Sequence, residues 1–306
     1  MGKQRIGFLL GSPRPSPGTS PNWDAIVEAL RELGYTEGQN VVFEYAYTEG
    51  ELDRRKHEAA RLVATKPDII VAAVGSDALA LREATSTIPI VVAAGGDLVG
   101  MRIAGSLAKP GGNVTGLQML SPELAGKRLE LLRTASPRVR RVGVLHQKVS
   151  TGAPPRIMAE VEGAARTLGI QVVRSVAIDG ADGFDGAFGR VREARLDGVF
   201  VVSNPFMTLH RRRLAELAAR YRLPAIYEIS LYVTAGGLMS YGPDAADLFR
   251  RAALYVDKIF KGAKPADLPI EQPSKFDLAI NLKAARAIGL TIPQSLLFRA
   301  TQVIDP

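Results

Sequence analysis

The sequence predicts an α/β protein made of two Rossmann-like lobes with parallel sheets. Three observations support this fold class. Short apolar runs alternate with helical patterns, as the crossovers of parallel sheets require. The alternation occurs in two successive series that look like two copies of one architecture. The chain has 306 residues, which suits two lobes of ordinary domain size.

The first series predicts the sheet of the N-terminal lobe. Its strands are expected at Arg5–Leu10, Val41–Tyr47, Asp68–Val74, Ile88–Ala94 and Asn113–Leu120. Its helices are expected at Asn22–Leu33, Leu52–Thr65 and Ala78–Thr85. The first helix ends at Gly34, because glycine adopts the left-handed conformation of a helix C-terminus without steric cost.

The second series predicts a sheet of the same kind. Its strands are expected at Arg141–His146, Ile170–Ile178, Asp197–Ser203, Pro224–Tyr227 and Gly237–Tyr241. Its helices are expected at Pro155–Leu168, Phe184–Ala194 and Leu209–Tyr221. Gly169 repeats the Leu-Gly helix ending of the first series. Asp182 and Asp244 stand where acidic side chains cap helix N-termini.

The C-terminal part predicts a return of the chain between the lobes. An amphipathic helix is expected at Asp244–Lys261, a strand at Phe276–Asn281, and helical segments at Leu282–Ile288 and Pro293–Ile304. We expect an N-terminal lobe of residues 1–118 and 241–265. The C-terminal lobe would then contain residues 119–240 and 266–306, and three crossings would form a hinge.

Composition narrows the classes of function. The chain has no cysteine, which excludes disulfides, thiolate catalysis and cysteine-ligated metals. Its three histidines, His57, His146 and His210, are far apart in sequence, so we expect surface or packing roles and no metal site. The net charge is +8, but the basic residues are scattered, which favours solvated surfaces over a nucleic-acid site. No apolar run approaches the roughly 20 residues of a membrane span.

Several segments carry a family resemblance that extends over essentially the whole chain. They are Asn22–Asp24, Gly34–Val41, Ala84–Val91, Pro110–Gly116, Glu123–Leu129, Ala235–Gly242, Tyr255–Gly262 and Asn281–Lys283. These segments closely resemble the substrate-binding proteins of ABC importers, in the subfamily that includes tryptophan- and tyrosine-binding members. The resemblance implies the fold of type I periplasmic binding proteins, a ligand in the cleft between the lobes, and closure by hinge bending.

The resemblance also implies partners and a location. The partners would be a small solute, such as an amino acid or an analogue, and an ABC permease with its ATPase subunits. The protein would act in the periplasm or another extracytoplasmic space, peripheral to the membrane and without a cofactor. The N-terminal residues run directly into the first expected strand, so the residues alone leave two alternatives, a cytosolic protein or a mature form without its leader. The resemblance favours the second.

Candidate ligand residues of the first lobe follow its strands, since ligands of open α/β sheets bind outside the carboxyl ends of the strands. Gly75 and Ser76 would bind a carboxylate through helical N–H groups and a hydroxyl, although Ser76 could equally cap the helix. Asp97 would bind an ammonium group or cap the segment that follows it. Asp77 would repel a carboxylate unless it turned outward. Gly11 and Ser12 reach the same edge.

Candidate residues of the second lobe also stand at strand ends. Asn204 can donate and accept hydrogen bonds, and Phe206 could cover an apolar ligand side chain. Tyr227 and Glu228 end the next strand. Because a buried carboxylate without a partner is costly, Glu228 would either meet a cationic group of the ligand or stay solvated. Tyr241 lies on the crossover strand.

One loop departs from the family pattern. His146-Gln147-Lys148 stands where the family often has Asn-Pro. This loop is expected on the ligand side of the cleft. The ligand specificity of this chain therefore need not match that of the family members that bind aromatic amino acids.

Three functions compete at this point. The leading one is a solute receptor of an ABC importer. The second is a two-domain α/β enzyme that uses Asp97 or Glu228 as a general acid or base. The third is the ligand-sensing domain of a regulator. The sequence has no nucleophile elbow, no phosphate-binding loop and no zinc motif, which favours the receptor.

Overall fold

The structure is a computed structural model that describes residues 3–12, 20–120, 122–148 and 155–305, without the side chains of residues 52 and 172. The chain forms two compact units. Unit 1 consists of Met1–Leu120 with Asp244–Ser274, and unit 2 of Ser121–Pro243 with Lys275–Pro306. The chain therefore passes between the units three times.

The first segment of unit 1 alternates strands and helices as the sequence predicts. Its elements are β1 (Gln4–Leu10), α1 (Pro21–Glu32), β2 (Val41–Tyr47), α2 (Leu52–Ala64), β3 (Ile69–Val74), α3 (Gly75–Ala84), β4 (Ile90–Gly95) and β5 (Val114–Gln118). The strands form one parallel sheet in the order β2-β1-β3-β4-β5. Gly34 has a φ of 93°, which confirms the left-handed helix ending.

The first segment of unit 2 begins with a helix and then repeats the alternation. Its elements are α4 (Ala125–Ala135), β6 (Arg141–Gln147), α5 (Pro155–Thr167), β7 (Val172–Ile178), α6 (Gly183–Glu193), β8 (Gly198–Val201), α7 (Pro205–Leu209), α8 (Arg211–Arg220), β9 (Ala225–Tyr227), α9 (Leu231–Thr234) and β10 (Met239–Pro243). The helix expected at Leu209–Tyr221 is confirmed as α8, and a short helix that the sequence did not predict, α7, ends directly before it.

The remaining elements complete both units. Unit 1 gains α10 (Ala245–Phe260), and unit 2 gains β11 (Phe276–Asn281), α11 (Leu282–Ala287), α12 (Gln294–Leu297) and β12 (Gln302–Ile304). The sheet of unit 2 has the order β12-β11-β10-β9-β8-β6-β7. Only the β10–β11 pair is antiparallel among its described strands. The helix expected at Pro293–Ile304 is therefore wrong in its last part, which pairs with β11 as a strand.

Each sheet is covered on both faces, as parallel sheets require. In unit 1, Ile26 of α1 and Leu248 of α10 pack in one apolar cluster with Phe8 of β1. Leu62 of α2 and Leu81 of α3 belong to the cluster on the other face. The inner strands β1, β3 and β4 are thus buried on both sides, and polar residues are confined to the ends of these strands.

Candidate functional site

The carboxyl end of β3 leads directly into α3. The helix starts at Gly75, and Val74 is its N-cap residue without a capping side chain. Ser76 therefore lies inside the first turn and does not cap the helix, so the capping alternative is wrong. Ser76 is half-buried. The first N–H groups of α3 thus lie beside a hydroxyl group, a combination suited to an anion.

Asp77 turns inward and forms a buried ion pair. Its Oδ1 accepts a hydrogen bond of 2.9 Å from Nε of Arg55, which lies in the first turn of α2. The Asp77 side chain has no exposed surface and that of Arg55 is 9% exposed. Burial raises the pKa of Asp77 to about 6, although the charge of Arg55 acts in the opposite direction. The expected repulsion between Asp77 and a bound carboxylate is therefore offset by a cation.

The guanidinium group of Arg55 retains unused donors. Its Nε is the only nitrogen that donates to a group among the described residues, and Oδ2 of Asp77 has no hydrogen-bond partner among them. Since Asp77 fixes Nε, the two Nη groups are held in a defined orientation. Such a planar pair of N–H groups matches the two oxygens of a carboxylate.

Asp97 closes a tight turn after β4. Its Oδ1 accepts a hydrogen bond of 2.9 Å from the N–H of Gly100, and its carbonyl accepts one of 2.8 Å from Met101. Gly11 and Ser12 follow β1 at the same edge of the sheet, with Gly11 buried and Ser12 exposed. The capping role of Asp97 is thus present, and its ammonium contact stays a prediction.

At the corresponding edge of unit 2, Asn204 joins two strand ends. Its Oδ1 accepts from the N–H of Met207 at 2.8 Å and caps α7. Its Nδ2 donates to Oε1 of Gln147 at 2.8 Å. Gln147 ends β6 and belongs to the loop that departs from the family pattern. The second lobe therefore places a pair of amides at its carboxyl edge.

Two aromatic candidates of unit 2 lie in its core. Phe206 is 2% exposed and stacks on Phe184 with the ring centroids 5.7 Å apart. Tyr227 is 1% exposed and stacks on Tyr232 at 4.7 Å. Burial raises the pKa of Tyr227. Both rings pack in the core of unit 2. A contact of either ring with a ligand stays a prediction.

Glu228 meets a cation of the protein itself. Its Oε1 lies 3.9 Å from Nη1 of Arg128, and both side chains are buried. Nε of Arg128 donates a hydrogen bond of 2.6 Å to the carbonyl of Tyr241, whose ring stacks on Phe276. Burial lowers the pKa of Arg128, which the carboxylate of Glu228 counteracts. Glu228 is buried, so the alternative that it stays solvated is wrong. Its cation in the structure is Arg128, and a contact of Glu228 with a cationic group of a ligand stays a prediction.

The structure thus groups the candidates by unit. Gly11, Ser12, Gly75, Ser76 and Asp97 lie at the carboxyl edge of the first sheet. In unit 2, Asn204, Phe206 and Glu228 follow strands, Tyr227 ends β9, and Tyr241 lies within β10. Sequence reasoning missed Arg55, which stands in a highly charged helical segment where a solvated face is the default interpretation. It also missed Arg128 as the partner of Glu228.

Two further features of the described residues concern metal binding and membrane-spanning helices. No group of three or more histidine and acidic side chains there could hold a metal ion. No helix there is both long and apolar enough to cross a membrane.

Comparisons with known proteins agree on one family. A family model described as ABC transporter substrate binding protein matches residues 16–304. A tyrosine-binding protein of Clostridioides difficile (strain R20291) is 24% identical over 265 residues, which are 86% of this chain and 75% of that protein.

Solved structures extend the similarity to the fold. An ABC domain from Streptococcus pneumonia in complex with L-Trp is 28% identical, with a TM-score of 0.87 and coverage of 99% of this chain and 100% of that one. A conserved domain protein from Vibrio cholerae is 28% identical, with a TM-score of 0.88 and coverage of 98% and 99%. Solute-binding proteins of lower identity share the architecture, which confirms the expected type I fold.

Proposed function

The chain belongs to the family of ABC transporter substrate-binding proteins, and from that premise we propose that it captures an amino acid and delivers it to an ABC permease. The family and its similar structures consist of solute-binding proteins and not of enzymes. The enzyme hypothesis is therefore set aside. The permease, its ATPase subunits and an extracytoplasmic location are implied by the family and form part of the proposal.

One observation gives the main support for an amino acid as the ligand. It is the ion pair in which Asp77 orients the guanidinium group of Arg55. A buried guanidinium group next to the first turn of α3 offers a carboxylate two kinds of donor, its Nη groups and the helical N–H groups. Ser76 adds a hydroxyl group. Charge-assisted pairs of this kind are among the strongest hydrogen bonds in proteins. Asp97 is the proposed partner of the ammonium group.

Two relatives support an aromatic amino acid. One similar protein is named for tyrosine, and one similar structure contains L-Trp. We propose a ligand of this class for the present chain, bound with closure about the three chain crossings. Closure would trap the solute, and the permease would recognise the closed form.

The test is a thermal-shift screen on protein that has been unfolded and refolded to remove copurified solute. The twenty amino acids are compared with purines, small sugars and aromatic acids. A ligand at 100 times its dissociation constant adds about 2.7 kcal/mol to the free energy of unfolding. We expect tyrosine or tryptophan to raise the melting temperature and to be recovered unchanged by mass spectrometry.

A pair of variants tests the carboxylate site. The double variant Arg55→Met with Asp77→Asn removes both buried charges together, and we expect it to weaken binding roughly 10- to 100-fold. The adjacent Arg54→Met is the matched control, since Arg54 is exposed and pairs with Glu49. If no amino acid stabilises the wild type, the amino-acid proposal is refuted. If both variants bind equally well, Arg55 is not the carboxylate donor.

A further inference from the structure

The side-chain amides of Asn204 and Gln147 are linked by a series of hydrogen bonds at the carboxyl edge of the unit 2 sheet. The strands that carry them, β6 and β8, are parallel neighbours that end at the same edge. Oδ1 of Asn204 accepts from the N–H of Met207, and Nδ2 of Asn204 donates to Oε1 of Gln147, both at 2.8 Å. These hydrogen bonds therefore connect the start of α7 with Gln147 through Asn204.

The direction of these hydrogen bonds fixes which group of the Gln147 side-chain amide is turned away from Asn204. The N–H of Met207 is a donor, so Asn204 must turn its oxygen toward it. Nδ2 of Asn204 then faces Gln147, and the only side-chain acceptor of Gln147, Oε1, must face Nδ2. The remaining group of Gln147 is Nε2, which has two N–H donors and donates to none of the described residues. Within this pair of side-chain amides both oxygens thus accept hydrogen bonds, and N–H groups remain as donors without an acceptor among the described residues.

Gln147 is also held by its main chain. Nδ1 of His146 lies 2.8 Å from the carbonyl oxygen of Gln147. Because a carbonyl only accepts, Nδ1 carries the hydrogen of this bond. Nε2 of His146 lies 2.8 Å from Oγ of Ser175. The half-buried Gln147 therefore has a fixed main chain and a fixed amide orientation, the two requirements for a selective contact.

We propose that Gln147 selects a solute with a hydrogen-bond acceptor on its side chain, and so favours tyrosine over phenylalanine and tryptophan. The phenolic oxygen of tyrosine accepts hydrogen bonds, whereas the indole N–H of tryptophan only donates and phenylalanine offers neither. This inference rests on the proposed function, because it requires an amino acid to reach the edge of the unit 2 sheet.

The test compares ligands of nearly equal size whose para substituents differ in their ability to accept a hydrogen bond. L-tyrosine and 4-amino-L-phenylalanine differ at one atom, and the aromatic amine is a donor whose lone pair is delocalised into the ring. Isothermal titration of refolded protein is expected to give about tenfold tighter binding of tyrosine, the value of one hydrogen bond of ordinary strength. L-phenylalanine is expected to bind as weakly as the amine.

The variant Asn204→Asp reverses the amide of Gln147. Aspartate caps helices as well as asparagine, so one carboxylate oxygen still accepts from Met207. The other oxygen then requires a donor, and Gln147 must turn its N–H group inward and its oxygen outward. We expect the tenfold preference for tyrosine over the amine to disappear. In a Gln147→Leu background the preference is already absent, and Asn204→Asp should change nothing further.

The possible failures are distinguishable. If no amino acid stabilises the wild type in the thermal-shift screen, the proposed function fails. If another amino acid stabilises it but tyrosine does not bind, the function stands and the proposed selection by Gln147 is refuted. If wild type prefers tyrosine and Asn204→Asp keeps the same preference, the function stands and the role of Gln147 is refuted. Circular dichroism melting of Asn204→Asp excludes unfolding as the cause of a lost preference.

Discussion

Asp77 shows at the residue scale how a buried charge makes stability depend on pH. Its pKa rises from 3.8 in a free side chain to about 6 in the folded protein, chiefly through burial. Between these values the folded protein binds a proton at Asp77 that the unfolded chain does not bind. The stabilisation is therefore fully present below about pH 4 and is lost as the pH rises through about 6, by on the order of 2–3 kcal/mol.

Urea unfolding of wild type and Asp77→Asn between pH 4 and pH 7.5 measures this effect. We expect Asp77→Asn to gain stability relative to wild type as the pH rises, because the asparagine has no charge to bury. Asp53→Asn changes an exposed carboxylate of the same region and serves as the control. A difference between wild type and Asp77→Asn that does not vary with pH would contradict the raised pKa.

Individual residues also mark the limit of prediction from sequence. The positions of Ser76 and Asp97 follow from strand ends, which apolar patterning locates well. The pairing of Arg55 with Asp77 depends on the packing of α2 against α3, and local sequence carries no signal of it. Phe206 and Tyr227 stand at strand ends but bury their rings in the core, because the direction of a side chain depends on the packing below it.

At the scale of elements, two aspartates that look alike in sequence differ in their contacts. Asp244 precedes α10 and accepts hydrogen bonds from the N–H groups of Ala246 and Asp247 at 2.9 and 3.4 Å. Asp182 precedes α6 and makes no capping hydrogen bond. We expect Asp244→Ala to cost about 1 kcal/mol of unfolding free energy and Asp182→Ala to cost only a few tenths. Chemical denaturation of both variants measures the difference, and equal costs would contradict the assignment.

A glycine of β10 is required by the close approach of two strands. A Cβ atom at Gly242 would lie 2.0 Å from the carbonyl oxygen of Glu228, so the main chain of β9 or β10 would have to move. We expect Gly242→Ala to lower the unfolding free energy by about 1–3 kcal/mol or more. In the control Gly189→Ala, the new Cβ atom of α6 meets nothing within 4 Å, and helix propensity predicts a gain of about 0.5–1 kcal/mol. Denaturation curves of both variants should move in opposite directions.

Elements that depend on distant pairing were the ones sequence could not predict. The run Gln302–Ile304 continues a helical pattern, yet it forms β12 because β11 offers a free edge. Gly34 and Gly169, with φ values of 93° and 66°, were predictable because their helix endings are local. The distinction is physical, since local conformation is encoded in neighbouring residues and strand partners are not.

For the whole molecule, the fold class was predictable because alternating β and α patterns leave few topologies for a chain of two series. Each series buries its own apolar faces, so each unit has its own core. The sequence alone could not assign which side chains of the two edges contact a solute, since that depends on contacts made in three dimensions.

The proposed closure makes a prediction at this scale. If a solute binds to both units, its binding energy favours the closed conformation, and the average dimensions of the molecule decrease. Small-angle X-ray scattering of refolded protein should therefore show a smaller radius of gyration when a stabilising amino acid from the thermal-shift screen is added. At a ligand concentration just above the wild-type dissociation constant, the double variant Arg55→Met with Asp77→Asn should keep its larger radius, because its weaker binding leaves most of its molecules without ligand. A ligand that stabilises the wild type without reducing its radius would separate binding from closure and would contradict the transport mechanism while leaving the binding site in place.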